Sequence, residues 1–549
     1  MAKVNLVCFG RLLQKLAQTT VLAAGVNLVY LVFESSYDFR LGPIHLFAHG
    51  IFKPLMILSA SFMVAVLLRW IIAEDPALND TSVALPPVTI GAAICLAYAI
   101  SFLINYHDAE WAHTDISAAH VSFWSLRDYF THREYDGFYR PIGFLSLWLD
   151  WKLFGKSLCW YHLQSLFIHV TNSYLVSRLC RQLGFVPSIA VASALVFAVA
   201  PVSFETVLWP GARFDELATL YSLLSIGTTI HFVKGGGAQM LVAHMIFLTL
   251  ALLSKESAYA VPLLLIPLAL RERPSCRREA VRWIQIGVAT IIVVVVALSV
   301  RLFVLDGIGG YTTATGSSLH FVLSLKTLTS LLQRAFLASQ FAVDGTVVLP
   351  WWIRSLVAIC VLLLAYIVFT YRPVRSDRKP WFILTLFFIS LLPVANVITF
   401  VGPALVQGRY LYLSSVWSSI LIGTVIVRTS HPRLAVAVWT FVAAGAVFFN
   451  VSVHRDRLES IPKMVAQIRS ALVDNPSCTQ VALVNMPDQM NGSLFASQEL
   501  LQTLRITWPQ VTFTFSGASV TNGPPSSACL AYSWNDLHSP QGLLRKSNR

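Results

Sequence analysis

Apolar runs of bilayer-crossing length recur along most of this chain, and no other feature narrows its fold as much. A crossing helix needs about 20 predominantly apolar residues. Such runs fall near 17–33, 51–73, 84–105, 161–180, 186–203, 215–233, 238–254, 257–270, 282–303, 350–370, 380–402, 410–427 and 433–452, about thirteen in all. The stretch 238–270 is short for two crossings, so part of it could be re-entrant. Charged residues make up only 12% of the 549, about half the share of a soluble chain, and the mean hydropathy is +0.65. Inside hydrocarbon a lone segment satisfies its backbone only as a helix. The expected fold class is an all-α polytopic membrane protein with a small C-terminal extracytoplasmic α/β domain.

The net charge of +13 invites a nucleic-acid reading, but its distribution argues against one. The basic residues cluster in short segments between apolar runs. With the N-terminus in the cytoplasm, Arg178 and Arg181 fall inside, as do Arg271, Arg273, Arg277, Arg278 and Arg282. Arg372, Arg375, Arg378 and Lys379 join them, and so do Arg428 and Arg433. Lys and Arg orient helices in this way. Lys3, Arg11 and Lys15 precede the first run, and no small-residue cleavage site follows, so that run is expected to stay as a span. Segments 106–160, 304–349 and 453–549 then lie outside, with a shorter outer loop at 34–50. The expected division is two N-terminal helices in 1–83, a membrane core in 84–452 and an outer domain in 453–549.

In that outer domain Ile461, Met464, Val465, Ile468 and Leu472 repeat at helical spacing, and 481–484, 512–515 and 529–532 read as strands. The eight cysteines include no CxxC pair, which argues against a zinc or redox motif. Cys478 and Cys529 lie in this polar region, where they form either a disulfide or two free thiols.

Several polar groups stand where chemistry at a membrane surface would need them. Asp108 and Glu110 follow the third run, in a loop rich in aromatics that continues to Tyr139-Arg140-Pro141. A carboxylate there could serve as general base toward an acceptor hydroxyl, or be an ordinary solvated charge. His162 and His169 share a helix face, with Asn172 nearby; in a span such groups usually bond to neighbouring helices. Glu205, Arg213, Asp215 and Glu216 lie just outside, and an Arg213–Asp215 pair is the simplest reading of them. Lys255 and Glu256 sit at the next outer turn and could also be a simple ion pair. Arg301 and Arg409 stand at outer helix ends, where arginine either snorkels or binds phosphate by its planar fork. Phe321, Leu325, Leu328, Leu332, Phe336 and Gln340 suggest an amphipathic helix that covers a site or packs on the bundle.

Taken in order, these pieces resemble the membrane half of the GT-C superfamily, in particular the O-mannosyltransferases that carry tetratricopeptide repeats and their bacterial relatives without repeats. The matching text is Tyr139-Arg140-Pro141 with Leu145-Ser146, Tyr161-His162 with His169 and Asn172-Ser173, and Phe197 to Pro201. It continues through Glu205, Trp209, Gly211, Arg213, Asp215, Lys255-Glu256, Arg301 with Gly307-Gly310-Tyr311, and Arg409-Tyr410-Leu411-Tyr412. Three positions depart from the family pattern. Ala109 separates two acids that are often adjacent, Ala200 replaces a histidine and Gly408 replaces a glutamate.

The resemblance implies inverting transfer of a sugar from a polyprenyl-phosphate carrier to a protein, lipid or glycan acceptor. Asp108, or else Glu110, would be the base. Arg301 and Arg409 would bind the donor phosphate, with Arg140 and Lys255 in reserve. His162, Glu205, Arg213 and Asp215 would position substrate. A divalent cation is a candidate cofactor, although no metal ligand set can be assembled. The expected location is a bacterial plasma (inner) membrane. A transporter or lipid flippase is the main alternative, but it should show an internal repeat, and none is visible. A non-catalytic relative that binds the carrier lipid is the other.

Overall fold

The structure is a computed structural model. It describes residues 36–41, 44–49, 128–131, 138–154, 158–272, 276–307, 379–400 and 405–486, with isolated residues and short pieces elsewhere, mainly between 335 and 363 and between 489 and 546. The two N-terminal runs and most of segments 106–160 and 304–349 lie outside the described residues, Asp108 and Glu110 among them.

The expected outer loop 34–50 holds an antiparallel hairpin, β1 (Ser36–Leu41) with β2 (Ile44–His49). The helices follow as α1 (Asp128–Thr131), α2 (Pro141–Phe154), α3 (Leu158–Gln182), α4 (Pro187–Ala198), α5 (Phe204–Leu208) and α6 (Arg213–Val233). Next come α7 (Ala238–Leu252), α8 (Ala260–Glu272), α9 (Arg277–Leu305), α10 (Lys379–Phe400), α11 (Tyr412–Val427) and α12 (Pro432–Asp474).

Among the described residues, three helices are long and apolar enough to cross a membrane: Arg277–Leu305, Gly408–Val427 and Pro432–Asn450. The pair α4 and Pro201–Leu208, bent by 46°, makes a fourth if it is one span. The full expected set of crossings is not shown among the described residues; the runs near 17–33, 51–73 and 84–105 and most of 350–370 lie outside them. The stretch 238–270 forms two short helices, α7 and α8, on either side of a tight turn at Glu256–Tyr259. Helix α9 turns Ile284, Val288, Ile291 and Val295 outward. An exposed apolar face of this length is what lipid would cover.

Helices α3 and α6 carry polar groups that the bundle satisfies internally. His169 Nε2 lies 3.1 Å from the Ala198 carbonyl and Nδ1 2.6 Å from the Tyr412 hydroxyl. The carbonyl can only accept, so Nε2 carries the proton and Tyr412 donates to Nδ1. Asn172 donates to the Glu216 carbonyl at 3.1 Å and to Tyr412 at 3.3 Å. His244 of α7 sits between Ser225 (3.0 Å) and Thr229 (2.9 Å) of α6 and Thr290 (3.0 Å) of α9. Such bonds fix which helix faces meet, because in lipid apolar contact alone specifies little.

The two ends of the bundle differ. At one end basic side chains donate to terminal carbonyls: Lys234 to Gln182, Arg271 to Leu183, Lys379 to Gly184 and Arg282 to Phe232. Cations there satisfy orphan carbonyls at the negative end of a helix dipole. The opposite end holds acids and bases together.

Helix α12 joins the expected span near 433–452 to the helical spacing read at 461–472. It runs unbroken for 43 residues, about 65 Å at 1.5 Å per residue. Its far end lays Met464 and Ile468 against a sheet whose strands are β3 (Gln480–Met486), β6 (Thr512–Gly517), β7 (Leu530–Trp534) and β8 (Leu544–Lys546). The short strands β4 (Gln489–Met490) and β5 (Ser493–Leu494) pair with each other. The sheet order is β6-β3-β7-β8, with β6, β3 and β7 parallel and β8 antiparallel. Val481, Leu483, Phe513 and Leu530 complete the small core. Cys478 and Cys529 form a disulfide with Cα atoms 5.6 Å apart.

Candidate functional site

The site lies where α6 begins, the α7–α8 turn passes and α9 ends. After Ala200, a turn at Pro201–Ser203 redirects the chain into α5, and a second at Pro210–Ala212 leads into α6. Proline is suited to the first position of each turn because its missing N–H would be unsatisfied there. The two turns place Glu205, Arg213, Asp215 and Glu216 in the bundle interior, each no more than 6% exposed.

Arg213 does not pair with Asp215, as the sequence suggested. It makes an ion pair with Asp150 of α2, and both side chains are buried. It also donates to the Tyr161 carbonyl (2.7 Å), Gln164 Oε1 (2.9 Å) and Ser165 Oγ (3.3 Å). This cluster joins α2, α3 and α6. Asp150 went unnoticed in the sequence. Its signal is a lone acid within the apolar segment Leu147-Trp148-Leu149-Asp150-Trp151, since a buried carboxylate requires a cation.

Lys255 and Glu256 do not pair with each other either. Lys255 reaches Asp215, with its ammonium 5.0 Å from the Tyr410 ring. Glu256 accepts from two arginines at once: Arg140 Nε at 3.0 Å and Nη2 at 2.7 Å, and Arg301 Nη1 at 2.9 Å. Adjacent residues point apart because Lys255 is in extended backbone while Glu256 opens the turn. Glu205 holds Arg409 twice, accepting from its backbone N–H at 3.2 Å and from Nη1 at 2.6 Å. The Arg409 guanidinium lies over the Trp209 and Tyr410 rings at 4.6 and 4.8 Å.

Electrostatics follow from this packing. Burial lowers the Lys255 amine to about 8; Asp215 opposes the shift, while Arg140 and Arg409 reinforce it. For Glu256 burial pushes upward, but the Arg140 and Arg301 guanidiniums prevail and hold the carboxyl at about 2. Glu256 is therefore ionised and a poor proton acceptor.

The structure thus brings together Arg140, Lys255, Arg301 and Arg409, the four expected phosphate-binding cations. It engages each with a carboxylate from Glu205, Asp215 or Glu256. Glu205 and Asp215, expected to position substrate, are held by Arg409 and Lys255. His162 is buried on α3. Gly408 is seated on the Val202 carbonyl, where an added Cβ would lie 2.4 Å from the oxygen. A glutamate would not fit at this contact. Among the described residues no group of three or more His, Cys, Asp or Glu could hold a metal ion.

Apolar helices around a charge-paired cluster at one end define a helical membrane protein with a polar site at that end. No protein-family model matches the chain. Over 158 residues it is 30% identical to Protein O-mannosyl-transferase F38B6.6 of Caenorhabditis elegans, a stretch that makes up 28% of this chain and 22% of that protein.

Proposed function

We propose that this protein is a GT-C-type membrane glycosyltransferase that moves a sugar from a polyprenyl-phosphate carrier to an extracytoplasmic acceptor hydroxyl. One observation carries the reading: Arg140, Lys255, Arg301 and Arg409 converge at the bundle end opposite the one capped by Lys234, Arg271, Arg282 and Lys379. Under the positive-inside rule the capped end is cytoplasmic and the convergent end faces outward. Arginines in a poorly hydrated site suit a phosphate that gains charge as it leaves. The similarity to a protein O-mannosyltransferase makes mannose the first sugar to test and a protein hydroxyl the first acceptor.

In the proposed reaction the acceptor oxygen attacks the anomeric carbon as Asp108 takes its proton. The bond from that carbon to the carrier phosphate oxygen breaks, and its electron pair stays with the phosphate. Arg301 and Arg409 offset that charge, with inversion at carbon. Glu205 and Asp215 act by fixing Arg409 and Lys255. The location is proposed to be a bacterial plasma membrane.

The test is release of polyprenyl phosphate from labelled polyprenyl-phosphate-mannose in membranes, comparing wild type with Asp108→Asn at matched protein levels. Loss of release in the variant is expected. Equal release would move the base to Glu110, and no release from wild type with several donors and acceptors would overturn the transferase reading.

A further inference from the structure

The α7–α8 turn contributes a residue to which the reaction above gives no role. Glu256 is the shared partner of two arginines from distant segments, residues 116 and 45 positions away in sequence. Arg140 belongs to the segment entering α2, and Arg301 lies four residues before the end of α9 at Leu305. The same turn also fixes the first segment through its backbone, since Ile142 N–H donates to the Leu253 carbonyl at 3.2 Å. Arg140 presents its Nε and Nη2 edge to the carboxylate, and its guanidinium lies 4.1 Å from the Phe138 ring. The Glu256 side chain is 26% exposed, whereas Arg140 and Arg301 are 13% and 6% exposed. Without the shared carboxylate, two guanidiniums gathered on one side chain would repel each other.

We propose that Glu256 is a positioning residue for the carrier phosphate: its carboxylate gathers Arg140 and Arg301 into one preformed anion seat. This rests on the carrier reading given under Proposed function. Glu256 acts through the arginines. Its value lies in removing the cost of bringing two long cationic side chains together when the lipid arrives. The opposite arrangement, in which Glu256 occupies the phosphate position and must be displaced, predicts the opposite sign.

The test is direct binding to purified full-length protein in detergent, with farnesyl phosphate as probe and farnesol as its uncharged counterpart. The readout is the ratio of their affinities, which a general loss of structure would not shift selectively. Wild type should prefer the phosphate. Glu256→Gln should weaken farnesyl phosphate binding by about tenfold or more while leaving farnesol unchanged. Glu256→Asp retains the charge but is one methylene shorter, so it should fall between the two. Phosphate binding by Glu256→Gln as tight as or tighter than wild type would overturn the proposal, and so would Glu256→Asp at full wild-type affinity. No phosphate preference in wild type would overturn the carrier reading and this proposal with it.

Discussion

Replacing Asp150 with alanine should cost about 3 kcal/mol of stability, within the range of about 3–5 kcal/mol for breaking a buried ion pair by removing one partner. The partner left behind is Arg213, whose side chain is 0% exposed. It cannot return to water without pulling α6 away from α2 and α3. The lower end of the range applies because Arg213 keeps the Tyr161 carbonyl, Gln164 and Ser165 as acceptors. Glu216 also remains within electrostatic reach. A loss of that size is more than about a hundredfold in the unfolding equilibrium. Asp150→Asn keeps the shape and one acceptor, so it should cost less, about 1–2 kcal/mol. Removing the pair as a unit, with Asp150→Leu and Arg213→Met, should recover much of the loss, because the desolvation cost of both charges disappears. Unfolding of the purified protein in mixed micelles, titrated with a denaturing detergent, measures all three. An alanine variant within about 0.5 kcal/mol of wild type would refute the reasoning. A double variant no more stable than the worse single would do the same.

Other outcomes follow from the same geometry. Gly408→Ala would drive a Cβ to within 2.4 Å of the Val202 carbonyl oxygen; the resulting backbone shift should cost about 1–3 kcal/mol and loosen Arg409, read as a lower melting temperature and weaker farnesyl phosphate binding. Because Lys255 titrates at about 8, its charge is lost as pH rises through that value. Phosphate affinity should therefore fall between about pH 7 and 9, and Lys255→Gln should flatten the profile. Reducing the disulfide that spans 51 residues from Cys478 to Cys529 should destabilise the C-terminal sheet and the helix end packed on it by about 4 kcal/mol on chain-entropy grounds. Cys478→Ser, compared by protease sensitivity of the sheet with and without reductant, checks it.

The membrane class and the helix-rich core were legible in the sequence, because both rest on local quantities. Hydrophobicity along a run decides what lipid accepts, and the positions of Arg271, Lys379 and their neighbours sort the loops by charge. The disulfide candidates and the strands at 481–484, 512–515 and 529–532 were legible for the same reason, since alternation and polarity are read within a few residues. The ion pairs were not. Arg213 with Asp215, and Lys255 with Glu256, were the natural pairs by proximity in sequence, yet both were wrong. Pairing inside a bundle depends on which helix ends meet. Arg213 begins a helix that points inward at Asp150, 63 residues earlier, and the Lys255 backbone turns its side chain away from its neighbour toward Asp215. Glu256 looked like half of a surface pair until the fold brought Arg140 and Arg301 to it. Sequence determined that these charges exist and that they stand beside apolar runs. Only the tertiary structure decided their partners, because burying a charge is so costly that the chain accepts whichever opposite charge the packing delivers.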